Sequence, residues 1–161
     1  MQHLFAPWRF VYVSNADSPG ECIFCTAARS DADTLTVIRG ERAFALLNRF
    51  PYTSGHTMVA PYAHLADLGD FDLATLTEMM SLAQKVVGAL QSAYRPHGFN
   101  LGFNLGEAAG AGIADHLHMH IVPRWRGDTN FMTVNADVRV LPEDLDETCT
   151  KLRRAMGVTG A

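Results

Sequence analysis

Three histidines alternate with apolar residues in the run His116-Leu117-His118-Met119-His120. On a β-strand successive side chains point to opposite faces. His116, His118 and His120 therefore share one face, and Leu117, Met119 and Ile121 take the other, from which they can enter a core. Same-face neighbours stand roughly 6.6 Å apart. A row of imidazoles is costly to bury, so the spacing predicts a cleft lined by the three rings. Imidazole is uncharged near neutral pH, hence a nucleophile, and it can also carry a proton to a leaving oxygen. A central histidine that attacks phosphorus while a neighbour handles the proton is one chemistry this pattern supports. A His₃ metal site is another, because imidazole is a common zinc ligand.

The segment just upstream, Gly106 to Ala114, is rich in glycine and alanine. Glycine permits close approach of the backbone, so its N–H groups can reach phosphate oxygens. Such a loop is common on its own and gains weight from its place before the histidines. A second reactive pair, Cys22 and Cys25, has C-x-x-C spacing, which is open between redox, metal and chance. No strand-to-helix context surrounds the pair, which speaks against a thioredoxin-like role. Cys149 reads as an inert buried thiol. Three cysteines make no disulfide framework, and a reducing cytoplasm fits them best.

These residues sit in a chain of 161, enough for one domain with a single core. Hydrophobic residues make up 48% and charged residues 19%, an ordinary globular balance. The formal net charge of -4 lacks the basic bias that duplex nucleic acid would require, so any phosphate must be held by a few aimed groups. No apolar stretch is long enough to cross a membrane, and no secretory signal is visible.

The positioning elements read as follows. Thr34 to Ile38 and Ala43 to Leu47 form a hairpin through Arg39-Gly40-Glu41, and His56 to Ala60 is a strand that stops at Pro61. The clearest helix carries Leu73, Leu76, Met80, Ala83, Val87, Leu90 and Tyr94 as its stripe. Asp70 or Asp72 is its N-cap, and Pro96 with Gly98 ends it. Met79 and Met80 are both expected in the core. Phe99 to Leu105 is a strand with Asn100 and Asn104 on one face. A short helical pattern (Leu145, Cys149, Leu152, Met156) closes the chain. The sum is α+β, with a five-stranded, largely antiparallel sheet and two helices. The expected organisation is an N-terminal arm over 1–21, a domain over 22–141 and a helical tail over 142–161.

The run His116-Leu117-His118-Met119-His120-Ile121-Val122 resembles the signature of the histidine-triad (HIT) superfamily. Further landmarks resemble that family in the same order: Cys22-Ile23-Phe24-Cys25, Ala45-Leu46-Leu47-Asn48, Ser54-Gly55-His56 through Pro61, and Asn104-Leu105-Gly106-Glu107. Ala6-Pro7-Trp8-Arg9 and the stretch from Pro123 to Phe131 are similar to the branch of diadenosine tetraphosphate hydrolases or phosphorylases. The resemblance implies a nucleotidyl hydrolase or transferase that cleaves adenosine phosphoanhydrides. His118 would take the adenylyl group covalently, His120 would contact the same phosphate, and His56 would lie beside the nucleophile and orient it. Asn48 would bond the ribose, and Asn104 the phosphate. It also implies an adenine nucleotide as substrate and a homodimer paired through the long helix and a sheet edge. A structural zinc on Cys22, Cys25, His64 and His116 is implied as well, closed rather than catalytic, with no organic cofactor.

The loop Gly110-Ala111-Gly112-Ile113-Ala114-Asp115 departs from the family's commoner Gly-Gln-Ser or Gly-Gln-Thr. It lacks a hydroxyl or amide for the leaving group, and the N–H groups of Gly112 and Ile113 stand in for part of it. Trp125 reads equally as an adenine-stacking ring or as partly buried core. Three readings stay open: the enzyme, with water or inorganic phosphate as acceptor; a nucleotide-binding signalling module with little turnover; and a His₃ zinc enzyme.

Overall fold

The structure, a computed structural model, describes residues 21–30, 35–128 and 143–158. Most of the expected arm over 1–21, Thr34 and the stretch from Thr129 to Phe131 lie outside those residues. The elements are α1 (Ile23–Arg29), β1 (Thr36–Arg39), β2 (Ala43–Leu47), β3 (Thr57–Pro61), α2 (Leu73–Tyr94), β4 (Gly98–Phe103), β5 (Met119–Arg124) and α3 (Leu145–Ala155). The five strands form one antiparallel sheet in the order β1-β2-β3-β5-β4. The expected α+β class and five-stranded sheet hold, with three helices in place of two.

The additional helix is α1. At 7 residues it has little intrinsic stability, and Cys22 at its N-cap makes no side-chain capping bond. Tertiary partners hold it instead. The Arg39 guanidinium donates to the carbonyls of Ala27 (2.8 Å), Ala28 (3.3 Å) and Ser30 (2.7 Å), at the negative end of the helix.

The sheet is covered on both sides, which is why β2 and β3 are buried at every position. Alternation divides their side chains. Ala43, Ala45, Leu47, Val59, Met119 and Ile121 join the core beneath α2 and α3. Phe44, Leu46, Met58 and Ala60 join a second cluster with Phe24 and Ala27 of α1. Cys149 and Leu152 of α3 belong to the first core, so the helical tail is continuous with it.

Helix α2 starts at Asp72, whose carboxylate accepts from the Thr75 N–H at 2.7 Å and is held below the usual carboxylate range chiefly by that bond. It ends at Arg95, which adopts the left-handed conformation (φ 48°, ψ 52°). Its buried residues are Thr75, Met79, Leu82, Ala83, Val86, Ala89 and Leu90. The expected stripe needs correction: Leu73 is 78% and Met80 50% exposed. The helix carries apolar residues on two adjoining faces, one residue step (about 100°) apart. The sheet takes the face of Met79, Val86 and Leu90.

Candidate functional site

Strand β5 begins at Met119, so only His120 of the three histidines stands on regular strand, while His116 lies at a bend and His118 on the irregular segment that leads into it. The rings consequently diverge to three sets of partners. Met58 pairs with His120 across β3 and β5, which puts His120 on the α1 side of the sheet.

His118 is buried, 5% exposed. Its Nδ1 lies 2.8 Å from the His116 carbonyl oxygen, an acceptor only, so Nδ1 carries the hydrogen. Nε2 is left with a lone pair and makes no hydrogen bond among the described residues. Burial lowers the imidazole's pKa, against the opposing pull of that carbonyl. The ring is therefore neutral at pH 7, as a nucleophile must be.

His56 is fully buried, and the Tyr52 backbone N–H donates to its Nδ1 at 3.1 Å. Nδ1 is thus an acceptor, and the proton sits on Nε2, 2.9 Å from His120 Nδ1. The same logic passes along: His120 accepts at Nδ1 and carries its own hydrogen on Nε2. Burial lowers the His120 pKa to about 4, with the charge of His118 a smaller cause. His56 bonds His120, where the sequence reading placed it beside His118. The Tyr52 ring lies against both, its centroid 4.5 Å from that of His56 and 6.1 Å from that of His120.

Asn48 Oδ1 accepts from the Phe50 N–H at 2.9 Å, and its Nδ2 stands 3.4 Å from His56 Nδ1. In this arrangement its amide braces His56. Asn104 follows the last pair of β4 and β5, Phe103 with Met119, and so falls beside His118; its Nδ2 reaches the Gly110 carbonyl at 3.5 Å. In the glycine-rich loop the N–H groups of Ala109, Gly110 and Ala111 bond within the turn. Those of Gly112 and Ile113 meet no acceptor among the described residues, while Ile113 packs on the α1 cluster. Trp125 follows the end of β5, about 16 Å of strand beyond His120. It is not brought to the triad within this chain. Arg124 is engaged by Asp128 (2.6 Å) and Asn100 (2.8 Å).

His116 turns the other way. With Cys22, Cys25 and His64 it forms a cluster whose ligand atoms all lie within 4.8 Å of one another. His116 Nδ1 is 3.4 Å from Cys22 Sγ, 3.7 Å from Cys25 Sγ and 3.2 Å from His64 Nδ1; Cys25 Sγ is 3.3 Å from His64 Nδ1. Zinc bond lengths give tetrahedral edges of about 3.4 Å between nitrogens and about 3.6 Å between nitrogen and sulfur. The four side chains fit a zinc ion. Outer partners fit too: His116 Nε2 donates to the Pro61 carbonyl at 2.9 Å, and His64 Nε2 stands 3.5 Å from Asp115 Oδ2. Burial, then the neighbouring Cys22, pushes the Cys25 thiol up; a dication among the four would reverse that. Cys22 and Cys25 are free thiols. Phe24, between the two ligand cysteines, lies against both His116 and His118, with centroids 5.1 Å and 4.7 Å apart. Sequence reading did not single out Phe24, Arg39 or Asp115, because their partners are remote in the chain.

The sequence matches the HIT domain family over residues 29–127. It is 39% identical over 157 residues to an AP-4-A phosphorylase of Mycobacterium tuberculosis, covering 92% of this chain and 80% of that one. Among solved structures, a Zn-bound histidine triad family protein from Mycobacterium smegmatis superposes with a TM-score of 0.70 at 31% identity, covering 85% of this chain and 94% of the other. A hypothetical histidine triad nucleotide-binding protein from Sulfolobus tokodaii gives 0.70 at 28% identity, covering 84% and 92%. The chain belongs to the histidine triad (HIT) family.

Proposed function

We propose that this protein is a nucleotidyl hydrolase or transferase that cleaves adenosine phosphoanhydrides, of which diadenosine tetraphosphate is the leading candidate, through an adenylyl-histidine. The observation that carries the reading is the bond from His118 Nδ1 to the His116 carbonyl, which leaves Nε2 as a free, neutral nucleophile. In the first half-reaction Nε2 attacks the α-phosphorus, the P–N bond forms, and the bond from phosphorus to the bridging oxygen breaks, releasing ATP. The acceptor then attacks the same phosphorus and frees His118. Water yields AMP and inorganic phosphate yields ADP.

His120 presents Nε2–H to a non-bridging oxygen of the α-phosphate, oriented through His56. The free N–H groups of Gly112 and Ile113 supply the other donors, in place of the missing hydroxyl. Asn104 contacts the phosphate, and Asn48 reaches the ribose from its place beside His56. Phosphorolysis is the favoured second half-reaction, since the Mycobacterium tuberculosis relative is called an AP-4-A phosphorylase. Incubation with diadenosine tetraphosphate, with and without inorganic phosphate, tests this. ADP beside ATP means phosphate is the acceptor, and AMP beside ATP means water. Tight nucleotide binding with no products under either condition would favour the signalling module.

Cys22, Cys25, His64 and His116 would hold a structural zinc, whose role is to fasten α1 to the approach of β5; no organic cofactor is invoked. The protein acts in the cytoplasm, without nucleic acid or membrane. No helix among the described residues is long and apolar enough to span a bilayer. The domain runs over 22–141, and α3 of the tail packs on its core through Cys149 and Leu152. A homodimer is supported by the open edge of β4, where Leu101 is 44% exposed, and by the outward Leu73 and Met80 of α2. Sedimentation of wild type against Leu101→Glu and Met80→Glu checks it: a wild-type monomer ends the idea.

A further inference from the structure

Phe24 and Phe44 are the two phenylalanines of the cluster between α1 and the sheet, and both are fully buried. Phe24 belongs to one buried cluster with Phe44, Leu46, Met58 and Ala60, yet its ring also lies 4.7 Å from that of His118, tilted by 35°. Among the described residues His118 has one hydrogen bond, from Nδ1 to the His116 carbonyl. A single bond fixes one point of a ring and leaves it free to swing about that point. The His120 ring, edge-on at 4.9 Å, limits that swing in part, and a flat wall alongside limits it further. We propose that Phe24 is a positioning residue for His118, the wall that aims its Nε2, and that the metal-ligand cluster serves the site by setting where this wall stands. The proposal rests on His118 being the nucleophile.

The wall is fixed at both ends of α1. Cys22 and Cys25 flank Phe24 and are tied to His116 and His64, while Arg39 holds the carbonyls of Ala27, Ala28 and Ser30. His116 closes the loop: its ring is 5.1 Å from Phe24, and its carbonyl is the one that His118 bonds. The Phe24 contact and the carbonyl bond therefore trace to residues that would share one ion, while the His120 ring, 4.9 Å from that of His118, stands outside that set. Orientation is worth a great deal in such a reaction, since a displacement of about 1 Å at the reacting atom can cost on the order of 100-fold in rate.

The test uses the protein as purified, with Phe24→Leu beside Phe44→Leu as a control. Phe44 occupies the same cluster, fully buried, and stacks on Tyr62. Three measurements are made: the steady-state kinetics (kcat and KM) on diadenosine tetraphosphate, the zinc content, and the ¹⁵N imidazole resonances of His118 without nucleotide. Phe24→Leu is expected to keep its zinc, to lose about 10- to 100-fold in kcat with KM within threefold, and to move the His118 resonances from one tautomer toward an average of two. Phe44→Leu should leave kcat and those resonances in place. Should Leu at 24 prevent folding, Phe24→Met refills most of the volume with a chain that has no flat face and carries the same test. Wild-type kcat and unchanged His118 resonances in either Phe24 variant overturn the proposal. So does an equal loss in the Phe44 control. The resonances report ring orientation whether or not His118 does the chemistry, so full turnover by His118→Ala would remove the reaction reading separately.

Discussion

His56 Nε2 stands 2.9 Å from His120 Nδ1, and the Tyr52 backbone N–H donates to the far nitrogen of His56. One peptide group thereby decides which nitrogen of a ring two hydrogen bonds away carries its proton. His120 enters the site as a neutral donor rather than a base. Substituting either histidine breaks the order, so His56→Ala and His120→Gln should each slow turnover by about 10²- to 10³-fold, the usual loss for a removed transition-state donor. Steady-state kinetics check this; a loss below tenfold at both positions rules out the relay.

His118→Ala should cost far more, about 10⁴-fold or above, because covalent catalysis has no substitute once the nucleophile is gone. Rapid quench and mass spectrometry of the wild type should find adenylate on a peptide containing His118. Adenylate on another side chain would end the reading.

Stability should depend on acidity in one direction. The His120 pKa is about 4 in the folded chain, and an unfolded histidine titrates near 6.5. Between those values the unfolded chain binds the extra proton, so stability is complete above pH 6.5 and declines as pH falls toward 4. Burial of His118 acts in the same direction. Urea titrations across this range should show the decline, and His120→Gln should flatten it. A slope that His120→Gln leaves intact assigns the effect elsewhere.

Removing the proposed zinc should loosen the fold. A ligand present at about 1,000 times its dissociation constant adds roughly 4 kcal/mol. At about 2–4 °C per kcal/mol for a chain of this size, a strong chelator should lower Tm by about 8–16 °C. His64→Ala should reproduce much of that fall and Asp115→Ala a small part. An unchanged Tm after verified zinc loss would sink the structural role.

Gly55 precedes His56 with φ at +79°, and a Cβ there would meet Leu90 Cδ2 at 2.6 Å. Gly55→Ala should cost about 1–2 kcal/mol from backbone conformation alone, plus the clash. Calorimetry should register a lower Tm, and kinetics a slower His56-dependent step. A variant as stable as wild type refutes the close contact.

Much of this was legible in the residues. The triad, the range of α2 and the antiparallel strands follow from period and punctuation, which are local. Three features were not. Helix α1 is too short to announce itself, since Arg39 and the cysteine partners hold it from far along the chain. The buried face of α2 was misjudged because Leu73 and Met80 suit a stripe as well as Met79 and Val86 do, and only the sheet chooses between them. The divergence of His116 from His118 and His120 reflects a strand that begins at Met119, a boundary that alternation cannot mark.

Val59 lies opposite Met119, and Met58 opposite His120. Adjacent positions on β5 thus serve opposite ends: one residue faces the oily side under α2, the next faces the proposed nucleotide site. A slip of a single step between β3 and β5 would exchange them, submerging the donor in hydrocarbon and offering a thioether to the substrate. Whatever locks that alignment guards reactivity as much as it guards folding, and misaligned chains would be inert even where they remain compact.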